Sequence, residues 1–234
     1  MRRLRVTAQL AAGALMCLAG LALAGSYTDL RRLNPVHGDP AAGAQKAAVC
    51  FACHGANGAP IAPTFPRLAG QRPDYLYHRM ASFRYADPKD PFYSKSPMTP
   101  LAAKLTDQDM RDLAAFFSQQ APTDAPGVTA APNAQDGELL FLHGDPQRGI
   151  PPCQGCHGPG ANGPLLRTSQ YAAWPVLRGQ SGLYIVARLT SFRDGQPADT
   201  SNTFIMHGVA HTLDDAAIQA VAAWLSSLPV QTGS

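Results

Sequence analysis

The chain has 234 residues, 45% of them hydrophobic and only 15% charged, with 21 Pro and 21 Gly; it can bury a sizeable core, divided by many turns. Its formal charge of +3 comes from Arg2, Arg3 and Arg5: take these from the 19 Lys and Arg and sixteen remain, against sixteen Asp and Glu. With no clustered basic excess, nucleic acid is excluded as a partner.

Residues 6–28, directly after the arginines, carry no charge. A positive start, an apolar stretch and the small-residue site Ala22-Leu23-Ala24 describe a secretory signal. The run also approaches the ~20 apolar residues that span a bilayer, which would leave the arginines on the cytoplasmic side. Residues 1–24 therefore read as a signal peptide or as an uncleaved inner-membrane anchor through residues 6–24. Either places the remainder outside the cytoplasm. Cys17 lies in this run without a lipid-attachment context.

The remainder repeats itself, which is the first thing to establish in any chain. His37-Gly38-Asp39-Pro40 recurs as His143-Gly144-Asp145-Pro146 at an offset of 106, and Cys50-x-x-Cys53-His54 as Cys153-x-x-Cys156-His157 at 103. Leu68, Gly70 and Gln71 recur as Leu177, Gly179 and Gln180 at 109. Tyr75, Arg79, Phe83 and Arg84 share that offset with Tyr184, Arg188, Phe192 and Arg193; Met98 recurs as Met206 at 108. The units are residues 35–121 and 134–234.

In the first unit Asp39 and Pro40 open a helix that runs into Cys50. Residues 73–84 place Leu76, Met80 and Phe83 on one helical face, with residues 182–193 as their partner. Thr106 followed by Asp109 opens a third helix with Met110, Leu113, Ala114 and Phe117 at i, i+3, i+4 and i+7, a face repeated by Ile218, Val221, Ala222 and Leu225. Residues 122–133 lack apolar periodicity and contain Pro122, Pro126 and Pro132, an extended and fairly stiff connector. In the second unit Pro151-Pro152 shorten or break the first helix before Cys153. No alternation of strand type exceeds a few residues. The class is all-α.

Cys-x-x-Cys-His has a specific chemical use: two thiols add to the vinyl groups of haem, and the adjacent imidazole becomes the proximal iron ligand. A redox dithiol would not require the histidine. A zinc site pairing the two motifs would leave 99 residues between them, against about 15–20 in such sites. Cys50, Cys53, Cys153 and Cys156 thus attach two haem c groups, with His54 and His157 as iron ligands.

The sixth iron ligand separates carrier from enzyme, because Met/His ligation suits electron transfer and an open position allows chemistry at the iron. Met98 and Met206 are the methionines that the repeat pairs; Met80 aligns with Leu189 and Met110 with Ile218, as core positions do. Both paired methionines lie in Pro- or Gly-containing stretches before the last helix, where a loop can carry sulfur over the haem. His37 and His143 also pair, leaving a bis-His alternative open beside their plain reading as a turn and helix start.

Over roughly residues 37–229 these features resemble the periplasmic di-haem cytochromes c of the cytochrome c4 type. The resemblance implies two tandem cytochrome c-like domains, each wrapped around one covalently attached haem c. It implies single-electron transport in a bacterial respiratory chain, from a quinol-oxidising cytochrome complex to a haem-copper terminal oxidase. It also implies that the segments holding Gln71, Tyr75 and Arg84, and Gln180, Tyr184 and Arg193, line the haem edges and propionates, the arginines through charge-assisted bonds. Pro66 and Pro175 can offer a carbonyl to each proximal imidazole. Residues 35–121 carry nine basic and seven acidic side chains, residues 134–234 five and seven, so the halves can steer toward different partners. The alternatives are a haem c subunit of a periplasmic dehydrogenase, or a small di-haem oxidase or peroxidase; the latter needs an iron that opens, and paired methionines argue against it.

Overall fold

The computed structural model describes residues 27–87, 89–123, 132–165, 168–195 and 199–231. The signal or anchor segment, residues 1–24, lies outside the described residues, as do residues 124–131 of the connector. Among the described residues there is no β-strand, only the isolated bridges Thr28–Thr200 and Asp145–Ile150. The fold is all-α.

The first half contains α1 (Pro40–Lys46), α2 (Ala48–His54), α3 (Pro73–Arg84), α4 (Pro91–Ser94), α5 (Met98–Ala102) and α6 (Asp107–Gln119). The second contains α7 (Ala134–His143), α8 (Gln154–His157), α9 (Gly182–Arg193), α10 (Ser201–Ala210) and α11 (Asp215–Ser227). In each half the opening helix crosses the closing one, α1 on α6 and α7 on α11. Thr106 and Asp109 form a reciprocal capping box at α6, satisfying N–H groups that the first turn leaves free. The periodic faces are buried: Met110, Leu113, Ala114 and Phe117 in one half, Ile218, Val221, Ala222 and Leu225 in the other. Met80 packs in the first core and Leu189 in the second, as their alignment predicts.

The opening helices depart from the expected register. Asp39 caps α1 through Ala41 N at 2.8 Å, with Pro40 in its first turn, and Ala47 interrupts the run before Cys50. In the second half the same His-Gly-Asp-Pro string ends a helix. Gly144 leaves α7 at φ 67°, and Asp145 closes a turn with Ile150 through N–H···O bonds of 2.8 and 2.9 Å. Asp-Pro suits either a helix start or a tight turn, and packing decides between them. Gly43 and Gly137 sit where the opening helix touches the closing one, at Asp112 O and Ala220 O respectively. They are 94 residues apart, whereas the Cys-x-x-Cys-His motifs are 103 apart; the turn before Cys153 holds the nine extra residues. His37 and His143 therefore occupy different places in the fold, and both are exposed.

Candidate haem-binding sites

Cys50, Cys53 and His54 lie on α2; Cys153 caps the single turn α8, which carries Cys156 and His157. The helical turn puts both thiols of a motif on one side, with the imidazole following. Gly55 and Gly158 then turn the chain away, each at φ 72°, a conformation that favours glycine.

Both imidazoles are buried and oriented. His54 Nδ1 lies 3.0 Å from Pro66 O and His157 Nδ1 3.4 Å from Pro175 O. A carbonyl only accepts, so Nδ1 carries the proton and Nε2 keeps its lone pair for a metal. Burial lowers the pKa of His54 and takes His157 down to about 4, so both rings are neutral. Burial also pushes the Cys153 thiol up to about 11, and Cys50 and Cys156 upward. Such thiols are not the electropositive, low-pKa type that reactive cysteines use.

One cavity joins Cys153, Cys156, His157 and Met206, and is walled by Leu189 and Phe192 of the second half. Met206 sits in the middle of α10 and Met98 opens α5, both half-buried. The expected loops are helices. A capping box between Thr200 and Thr203 starts α10, and Gly208 does not interrupt it. α5 is a short turn after Pro97 that packs against α3.

The residues expected at the haem edges and propionates also make contacts within the protein. Gln71 exchanges two bonds with the backbone of Val176, Nε2–H to O and N–H to Oε1, both 2.9 Å. Gln180 does the same with Arg67, at 3.0 and 2.7 Å. These carboxamides clamp one half to the other. Tyr75 and Tyr184 touch hydroxyl to hydroxyl and face the cavity. Arg193 pairs with Asp194 and Asp215 at the surface, and Arg84 donates to Ala103 O while its Nε is buried without a hydrogen-bond partner. The residues missed are Arg79 and Arg188, one turn earlier and also paired by the repeat. They line the cavity, Arg79 over the Phe83 ring and Arg188 over Phe192. Burial, then the Arg79 charge, pushes the Arg188 guanidinium below its usual pKa. Arg79 Nη1 is buried without a hydrogen-bond partner.

The family model for cytochrome c matches twice, over residues 40–121 and 136–229. The chain belongs to the cytochrome c family. Within it, this cytochrome is of the di-haem c4 type: it is 39% identical to cytochrome c4 of Thiocapsa roseopersicina over 83% of its own length and 95% of that protein's. The crystal structure of reduced cytochrome c4 from Pseudomonas stutzeri superposes with a TM-score of 0.69 at 37% identity, covering 82% of this chain and 99% of that one. A protein of Thiomonas intermedia named thiosulfate dehydrogenase electron acceptor is 36% identical over 81% of this chain and 83% of its own. Two haem c groups are the cofactors of this cytochrome, which is an electron-transfer protein. Its own residues fit them: paired thiols, imidazoles with Nε2 presented, and buried guanidinium groups such as Arg79 whose free donor calls for carboxylate.

Proposed function

We propose that this cytochrome carries single electrons across the periplasm, from a quinol-oxidising cytochrome complex to a haem-copper terminal oxidase. The observation that supports this reading is the shared cavity of His157 and Met206, repeated in sequence by His54 and Met98. Cys50, Cys53, Cys153 and Cys156 fix each haem to the chain. His54 with Met98, and His157 with Met206, would hold the two haem irons. Bound haem iron supplies a one-electron couple, which Met/His ligation raises in potential. The Pro66 and Pro175 carbonyls hold the imidazole tautomer and orientation. Arg79 and Arg188 are placed to receive propionate charge. Gln71 and Gln180 act one step away, keeping the halves, residues 35–121 and 134–234, in register for transfer between them. Neither half then offers a substrate position, so the role is relay rather than enzyme.

The relative named thiosulfate dehydrogenase electron acceptor favours a second reading, in which the donor is a periplasmic dehydrogenase. Optical and redox titration of the purified holoprotein tests the ligand set. Two Met-ligated irons give a sulfur-to-iron charge-transfer band when oxidised and no carbon monoxide binding when reduced. Met98→Ala and Met206→Ala each remove about half of the band; an undiminished band in both would overturn the assignment. Stopped-flow mixing with a purified quinol-oxidising complex, and separately with a periplasmic dehydrogenase, identifies the donor by which one reduces the protein rapidly.

A further inference from the structure

Residues 27–36 precede both matched regions and run across the molecule rather than away from it. At one end they are fastened to α10. Thr28 N–H donates to Asp199 O at 3.0 Å, and Thr28 O accepts from Ser201 N at 2.9 Å, a parallel bridge at the first turn of that helix. Leu30 N–H donates to Ser201 Oγ at 3.1 Å; Ser201 is 2% exposed. The Tyr27 ring stacks on Phe204, centroids 5.5 Å apart and planes 7° from parallel. At the other end Val36, also buried, donates its N–H to Asp74 on α3 of the first half at 3.0 Å. Between these points Leu30 is buried and lines the cavity that holds His157 and Met206.

Asp199 gathers further ties at the same place: Tyr93 of the first half donates to its Oδ2 and Thr203 to its Oδ1, both at 2.8 Å. The start of α10 is thus tied through bonds that reach 171 and 106 residues along the chain. The paired helix α5 is held from within its own half: Met98 N–H donates to Ser96 Oγ at 3.2 Å, Thr99 Oγ1 to Tyr93 O at 2.6 Å, and Arg84 of α3 to Ala103 O at 3.2 Å. Equivalent methionines sit on unequally supported helices.

We propose that residues 27–36 form a strap whose task is to position Met206, holding this methionine, and not Met98, against its iron. The proposal rests on Met206 being a ligand. Its physical basis is that a thioether would bind iron weakly, so that its hold would depend on the stiffness of the element bearing it. A buried apolar plug (Leu30), an aromatic stack and backbone bonds at the first turn of α10 together supply that stiffness. Tyr27, Leu30 and Ser201 are positioning residues on this view, acting on the second haem through α10.

The test uses the full-length holoprotein carrying Tyr27→Ala and Leu30→Ala, with Ser201→Ala made separately in case the double variant folds poorly. The expected result is loss of about half of the oxidised sulfur-to-iron band and uptake of about one carbon monoxide per protein after reduction, as for one opened iron of two. One of the two reduction potentials falls while the other stays in place, and Leu30→Met in place of Leu30→Ala restores the band. Both irons opening together, or an undiminished band with no carbon monoxide uptake in either variant, would overturn the strap. Met206→Ala, measured beside them, separates the two ideas: if it too leaves the band intact, the ligand assignment has failed rather than the strap.

Discussion

The hydroxyls of Tyr75 and Tyr184 lie 3.1 Å apart where α3 meets α9. They stand at one position of the repeat, and their surroundings obey the same exchange. Gln71 bonds Val176 and Gln180 bonds Arg67; Gln180 stands 109 residues after Gln71, and Val176 109 after Arg67. The halves therefore meet as two copies of one protein would in an isologous dimer, residue i on j and j on i. Arg79 and Arg188 flank the same contact and line one cavity with His157 and Met206.

The glutamine clamps, rather than the tyrosine contact, hold this junction. Gln71→Leu strips Val176 of partners for both its N–H and its C=O, and an unsatisfied buried group costs about 1–3 kcal/mol. Gln180→Leu does the same to Arg67, whose own guanidinium bonds to Gly179 O and Arg178 O persist. Tyr75→Phe removes one hydrogen bond, worth about 0.5–1.5 kcal/mol. Calorimetry of the holoprotein checks this: the double glutamine variant separates one unfolding transition into two, and Tyr75→Phe merely shifts it. A larger loss from Tyr75→Phe would place the tie elsewhere.

Sequence carried the repeat, the Cys-x-x-Cys-His chemistry and the helical faces, because each depends on local spacing. It misplaced what long-range packing decides. One four-residue string starts α1 and ends α7, since Asp39 meets free N–H groups at a helix start while Asp145 follows a glycine that has already left its helix. Proline and glycine near Met98 and Met206 suggested loops, yet Thr200 and Thr203 cap a helix through Met206. Gln71 and Gln180 were recognisable as a pair, but not as partners of each other's half. Arg79 and Arg188 were in the repeat too; their place on the cavity wall, which sequence does not show, singles them out from Arg84 and Arg193.

Gly43 and Gly137 mark the true register of the opening helices. A Cβ on Gly137 would collide with Ala220 O and with Ala220 C, backbone that cannot swing aside. Gly137→Ala therefore forces α7 off α11, at a cost of about 1–3 kcal/mol for overpacking, although alanine is the better helix former by roughly 1 kcal/mol. Gly43→Ala acts likewise against Asp112 O. Gly155→Ala is the control, since nothing lies within 4 Å of its Cβ position. Thermal unfolding of the three variants ranks them; a stabilised Gly137→Ala would show that the crossing is loose.

Acid should weaken the two crossings unequally. Asp112, 2% exposed, accepts from Asp39 N at 2.9 Å, Lys46 Nζ at 2.9 Å and Gln108 Nε2 at 2.7 Å, tying α1 to α6. The Asp39 N–H, and then the Lys46 ammonium, hold its carboxyl below the usual carboxylate range. Lys46 also holds Asp109 down to about 2. A carboxyl depressed in the folded state contributes stability that is complete above its unfolded pKa of about 3.9 and is lost as pH falls through the folded value. At the matching place in the second half, 108 residues on, stands Ala220, so the α7–α11 crossing lacks this buried carboxylate. Thermal unfolding of the holoprotein at successive pH values from 7 to below 3 should show a falling acid limb. Asp112→Asn should start lower at pH 7, with a neutral carboxamide facing Lys46, and fall less steeply below pH 4. An acid limb as steep in the variant as in the parent would assign it to another carboxylate, with Asp109, which Lys46 also holds down, the next to substitute.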